Sequence, residues 1–153
     1  MPMSVDYALL CRQLKALAET DNHYIPLLAN ASALLYEALP DINWSGFYLM
    51  RNGRLVLGPF QGKIACVHIS LDKGVCGAAA REDVTQRVPD VHAFPGHIAC
   101  DSASNSEIVV PIHCDGAVAA VLDIDSPLFD RFSPDDQSGL EAFVRVLEDV
   151  IEF

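Results

Sequence analysis

The segment NWSGFYLM alternates as a β-strand, Asn52-Gly53 follows it, and RLVLG resumes the pattern. Asn-Gly tolerates the positive φ that a two-residue hairpin demands at both central positions. An antiparallel hairpin is therefore the firmest local constraint on the chain. IACVHIS, SEIVVPI and AVAAVLDI read as further strands, with Cys114-Asp115-Gly116 turning between the last two. Such short reversals make antiparallel pairing the economical topology.

Helical periodicity brackets these strands. Tyr7, Leu10, Leu14 and Leu17 recur at helical spacing, and a second helix enters at Pro26 and carries Leu27, Leu28, Ala31, Leu34 and Leu35. GVCGAAARED reads as a short helix whose alanines favour close packing. A last helix opens with Ser133 as N-cap, Pro134 at its first position and Asp136 completing a capping-box-like pattern. Its Leu140, Phe143, Val144 and Leu147 share one face. Strands in the middle, helices around them and no internal linker or repeat predict one α+β domain over residues 1–153. VPDVHAFPGHIACDSASNS reads as a long irregular crossing, and a loop of that length in a compact domain points to function.

Lys and Arg number 10 against 21 Asp and Glu, a net charge of −11 that repels phosphate backbones and anionic headgroups. No basic cluster or aromatic stacking platform offsets it, so neither nucleic acid nor a membrane is an expected partner. The start MPMSVDYALL lacks the basic segment and apolar run of a secretory signal, and no stretch has enough apolar residues to cross a bilayer. The expected location is the cytoplasm. A persistent structural disulfide is disfavoured there, and the 5 cysteines leave at least one thiol unpaired in a monomer whatever the connectivity.

Strand parity organises the polar residues. Trp44 and Tyr48 share a face of one strand, and Asp123 and Asp125 share a face of another. Glu107 opens SEIVVPI, whose partner strand carries the aspartates, so three carboxylates are expected to converge on one pocket wall. Each also has a plainer role: the aromatics as sheet core, the aspartates as turn braces before Pro127, Glu107 as a solvated edge residue.

Cys66, Cys76 and Cys100 lie among polar and turn residues, and His97 and Asp101 flank Cys100 in GHIACD. Thiols so placed suit redox chemistry better than packing. Cys11 and Cys114 read as packing and turn residues without a catalytic role. Cysteine-histidine hydrolysis remains an alternative. So does zinc, since Cys66 with His68, His97 with Cys100 and His113 with Cys114 supply ligand types; without a CxxC pair or an HExxH helix, no metal is expected.

The blocks NWSGFYL, GPFQGKIAC, GVCGAAA, GHIACDSASNSEIVVPI, LDIDSP and FSPDD span almost the whole chain. In these motifs and their cysteine spacing it resembles the free methionine-(R)-sulfoxide reductases, a family of stand-alone GAF-domain enzymes. The resemblance implies a GAF-like α+β fold with an antiparallel sheet of about six strands flanked by helices, a homodimer, and a closed pocket for free L-methionine-(R)-sulfoxide. By the same resemblance Cys100 attacks the sulfoxide sulfur, Cys66 is the principal resolving thiol and Cys76 a secondary one. Trp44 and Tyr48 surround the methyl-sulfur end, while Glu107, Asp123 and Asp125 form the acidic surface, with Glu107 the best proton-delivery candidate. No cofactor is expected to bind; thioredoxin is the implied reductant, drawing on NADPH through its own reductase. The alternative is a noncatalytic GAF module that binds a small regulatory ligand.

Overall fold

Asn52 and Gly53 take φ values of 54° and 78°, and Asp115 and Gly116 take 53° and 79°. Both pairs are the double left-handed turns that match strand twist. The first joins β1 (Trp44–Arg51) to β2 (Arg54–Gly62), and the second joins β5 (Ser106–Cys114) to β6 (Ala117–Ser126). The computed structural model describes residues 4–97 and 103–153. With β3 (His68–Ile69) and β4 (Gln86–Val88), the strands form a six-stranded sheet in the order β3-β2-β1-β6-β5-β4. Every neighbouring pair is antiparallel. The expected α+β sheet of six strands flanked by helices is the observed one.

Period-two alternation divides the sheet into two unlike faces. Phe47, Ile108, Val110, Ile112, Leu122 and Ile124 point to one face, where α1 (Tyr7–Thr20), α2 (Tyr24–Ala38) and α4 (Pro134–Val150) cover them. Trp44, Tyr48, Val109 and Val121 point to the other, under α3 (Gly74–Glu82). The first layer is the main apolar core, and α4 contributes Leu140, Phe143, Val144 and Leu147 to it as its spacing predicts. No helix of the described residues is long and apolar enough to cross a membrane.

One carboxylate ties the helical layer together. Asp136 closes the capping box with Ser133 at the start of α4. Its Oδ1 also accepts from the Tyr7 hydroxyl at 2.6 Å, and its Oδ2 accepts from Arg131 Nη1 at 3.0 Å. Burial alone would raise this carboxyl, but the hydrogen bonds from Ser133 and Tyr7 and the Arg131 charge outweigh it and hold it below the usual carboxylate range.

Three local expectations need correction. The second helix begins at Tyr24, capped by His23, so Pro26 sits at its third position; the first turn has no internal acceptor for a backbone N–H, and proline is tolerated there. Of IACVHIS only His68 and Ile69 pair in the sheet, opposite Val56 and Leu55. Residues 63–66 instead cross over Trp44, whose indole Nε1 donates to the Lys63 carbonyl at 3.1 Å; Cys66 therefore lies outside the sheet. The long crossing is not wholly irregular, since Val91–Ala93 form a single 3-10 turn capped by the Asp90 side chain.

His113 on β5 bridges two elements. Its Nδ1 lies 2.6 Å from Glu148 of α4 and its Nε2 lies 2.6 Å from Asp83 just after α3. The hydrogen bond with Asp83, opposed by burial and aided by Glu148, raises its pKa. A raised histidine stabilises the fold below its unfolded pKa of about 6.5, and that contribution is lost as pH rises through the folded value. Urea unfolding of the wild type should therefore lose stability relative to His113→Asn between mildly acidic and mildly alkaline pH; parallel pH profiles for the two proteins would contradict this.

Candidate active site

Three neighbouring strands align the acidic residues by register alone. Trp44, Asp125 and Glu107 lie directly opposite one another across β1, β6 and β5. Gly46, Asp123 and Val109 form the next row on the same face. The short side chains of Ala79 and Ala80 on α3 pack on this face, and Gly77 lets the helix lie close to the backbone at Ser70 and Leu71. It thereby brings Cys76 Sγ to 3.9 Å from Glu107 Oε2. Cys76, Glu107 and Asp123 each offer a ligand atom, all within 4.8 Å of one another.

These groups line a cavity of about 50 Å³ together with Trp44, Tyr48, Asp125 and Val75. Ile64 and Ala65 close one side, and His97 and Ser104 close another. Trp44 stacks between Tyr48 and Phe60 at centroid distances of 5.8 and 5.1 Å. At Gly62, with φ 134°, a Cβ would lie 2.5 Å from the indole, so only glycine lets the chain turn so closely over Trp44. The structure brings Trp44, Tyr48, Glu107, Asp123 and Asp125 to one cavity, and Cys76 joins them. Ser104 was missed; its only sequence signal is its place in the polar run SASNS, and it accepts a 3.1 Å hydrogen bond from Asn43.

The sulfurs divide in a different way. Cys66 is disulfide-bonded, whereas Cys11, Cys76 and Cys114 are free thiols. Cys100, the nucleophile implied by the family resemblance, falls within residues 98–102, outside the described residues.

The cavity is electrostatically lopsided. Among the described residues its lining includes three carboxylates and no Lys or Arg. Burial, then the charge of Asp123, pushes Glu107 well above the usual carboxylate range, and burial followed by Asp125 does the same to Asp123. Burial, then the Asp123 and Glu107 charges, raises the Cys76 thiol, and burial with the same acids raises Tyr48. His97 is pushed the other way by burial and by His92, which disfavours its cationic form. Asp123 is 5 % exposed, and its Oδ1 has no hydrogen-bond partner among the described residues. The site therefore holds protons tightly, and the negative charge that its three carboxyl groups retain favours a cationic guest.

A six-stranded antiparallel sheet with a recess under a short helix defines a GAF domain, and a GAF domain is matched over residues 29–152. The chain belongs to the GAF-domain family. Within it, the chain belongs with the free methionine-R-sulfoxide reductases. It is 54% identical to the Escherichia coli free methionine-R-sulfoxide reductase, over 95% of this chain and 88% of that one. The fRMsr of Staphylococcus aureus, solved in complex with substrate, superposes with a TM-score of 0.93 at 51% identity, covering 99% of each chain. The free methionine-R-sulfoxide reductase from Neisseria meningitidis, also solved with its substrate, gives 0.90 at 39% identity, covering 97% of this chain and 92% of that one.

A carboxyl whose folded pKa is raised weakens the fold as pH climbs above its unfolded value of about 3.9. Asp123→Asn removes that penalty and should stabilise the protein by ~1–3 kcal/mol at neutral pH, in the range seen when buried charge is replaced. Denaturant unfolding at pH 7.5 checks this; a variant less stable than the wild type would show that Asp123 supports the fold.

Proposed function

We propose that this chain reduces free L-methionine-(R)-sulfoxide to L-methionine through a cysteine sulfenic acid and a disulfide, acting as a single GAF domain. The observation that carries this reading is the cation-seeking acidic floor beside an aromatic box in a chain whose close relatives are sulfoxide reductases. The substrate ammonium pairs with the carboxylates, and its methyl-sulfur end sits against Trp44 and Tyr48. A peptide-bound methionine lacks the free ammonium, which accounts for selection of the free amino acid. The cavity of about 50 Å³ has room for only a few waters, so entry of the substrate requires the loop walls carrying Ile64, Ala65 and His97 to part.

Sulfoxide sulfur is electrophilic, but its oxygen is a poor leaving group until protonated. Cys100 attacks the sulfur as a thiolate while Glu107, whose hold on a proton is strengthened by burial and by Asp123, delivers one to the oxygen. The hydroxyl then passes from the substrate sulfur to the Cys100 sulfur as the bond between the two sulfurs breaks, so methionine departs and Cys100 is left as a sulfenic acid. Cys66 then condenses with it, releasing water and forming the Cys66–Cys100 disulfide. One sulfoxide and two thiols thus become one thioether, one disulfide and one water. That Cys66 is disulfide-bonded while Cys11, Cys76 and Cys114 are free supports Cys66 as the resolving partner. A second cytoplasmic dithiol, thioredoxin, resets the enzyme with electrons that originate in NADPH, and the working form is a homodimer. The burial and raised thiol of Cys76 argue for a minor part in resolution.

NADPH oxidation coupled through thioredoxin and its reductase is the direct test, with the S diastereomer and a peptide-bound R sulfoxide as controls. Turnover confined to the free R form is expected, with loss of activity in Cys100→Ser and a fall of about 10²–10⁴ in kcat for Glu107→Gln, the usual range for a general acid. A folded, reduced protein inactive toward the free R form, yet able to bind it, would instead be a noncatalytic ligand-binding module.

A further inference from the structure

We propose that the floor of this cavity is also a site for a thiophilic divalent cation, zinc in the first instance, with Cys76 Sγ and one oxygen each of Glu107 and Asp123 as its protein ligands. Two independent observations point to it. The three ligand atoms already lie within 4.8 Å of one another. The buried Asp123 also turns a carboxylate oxygen without a hydrogen-bond partner into a cavity whose described lining holds no Lys or Arg.

Ligand spacing and ligand type select the metal. Tetrahedral zinc, with Zn–S near 2.3 Å and Zn–O near 2.0 Å, sets sulfur and oxygen ligands about 3.5 Å apart. The Cys76–Glu107 pair at 3.9 Å is nearly there. The widest separation needs side-chain movement of little more than about 1 Å to meet the same spacing. Calcium and magnesium prefer six or more oxygens, whereas one thiolate with two carboxylates suits zinc, cobalt or cadmium. Binding sends the thiol proton to solvent and leaves a coordination position for water or a small ligand.

Cys76 is a free thiol in a structure where Cys66 is disulfide-bonded, so the cation site coexists with the oxidised state of Cys66. Cation binding itself does not depend on the sulfoxide reading; one consequence does. Because metal and substrate ammonium seek the same carboxylates, zinc competes with methionine sulfoxide and holds the enzyme idle until substrate or a chelator removes it.

Cobalt(II) titrated into the metal-free full chain tests the site directly, through the sulfur-to-cobalt charge-transfer absorption. A band that saturates at one cobalt per chain, yields to zinc and survives in a Cys11→Ser/Cys114→Ser variant is expected. Cys76→Ser should abolish it, and Glu107→Gln and Asp123→Asn should each weaken cobalt affinity by at least about 10-fold. Near-ultraviolet circular dichroism identifies the variants that are folded. No saturable band in the folded wild type overturns the proposal, as does a band retained in Cys76→Ser or undiminished affinity in either carboxylate variant. Zinc inhibition of sulfoxide turnover that excess substrate relieves supports the competition. Cobalt binding by a chain that turns over no sulfoxide upholds the cation site and overturns the sulfoxide reading.

Discussion

Register between β5 and β6 is the constraint on which the molecule depends. Side chains alternate across a strand, so one choice of pairing decides the contents of both faces. Ile108, Val110 and Ile112 on β5 and Ala120, Leu122 and Ile124 on β6 are buried under the long helices. Glu107, Asp123 and Asp125 must then face the other way, toward α3. A one-residue slip would exchange the two sets. At about 1.5–3 kcal/mol for each buried large apolar side chain, the helical face outweighs the several kcal/mol by which crowded carboxylates oppose burial. The apolar side of the sheet is thus what forces the acidic side into being.

That logic explains what the sequence made legible. Both hairpins were readable because Asn52-Gly53 and Asp115-Gly116 carry a backbone requirement few other residues meet. Trp44 with Tyr48, and Asp123 with Asp125, could be assigned to a face by parity, and the Ser133–Asp136 capping box marked the start of α4 in advance. IACVHIS reads as one strand on composition, but the chain leaves β2 at Gly62 to cross the indole of Trp44 and only His68 and Ile69 pair. The clustering of Cys76 with Glu107 and Asp123 is tertiary: nothing in GVCGAAA reveals which turn of the helix meets the sheet. His113, which joins Asp83 to Glu148, was invisible for the same reason, its partners lying 30 and 35 residues away in sequence.

The site and the fold place opposed demands on the same atoms. A recess able to hold a proton on a carboxyl at neutral pH must be dry and crowded with like charge, and both conditions work against stability. The helical layer offsets this with the Asp136 junction, where an acid is held ionised by its partners, and with a continuous apolar core. The division is spatial as well as energetic. The carboxylates that strain the fold all lie on the α3 face, where the apolar cluster around Trp44, Val109 and Val121 surrounds them.

Recognition residues sit on β1, β5, β6 and α3, whereas Cys66 sits on a connection between strands. For an engineer, that makes the floor a chassis and the crossing a fitted part. A segment exchanged for residues 63–67 to present a different reactive group keeps the recess only if it preserves the Lys63 carbonyl on the Trp44 indole and the wall that Ile64 and Ala65 supply.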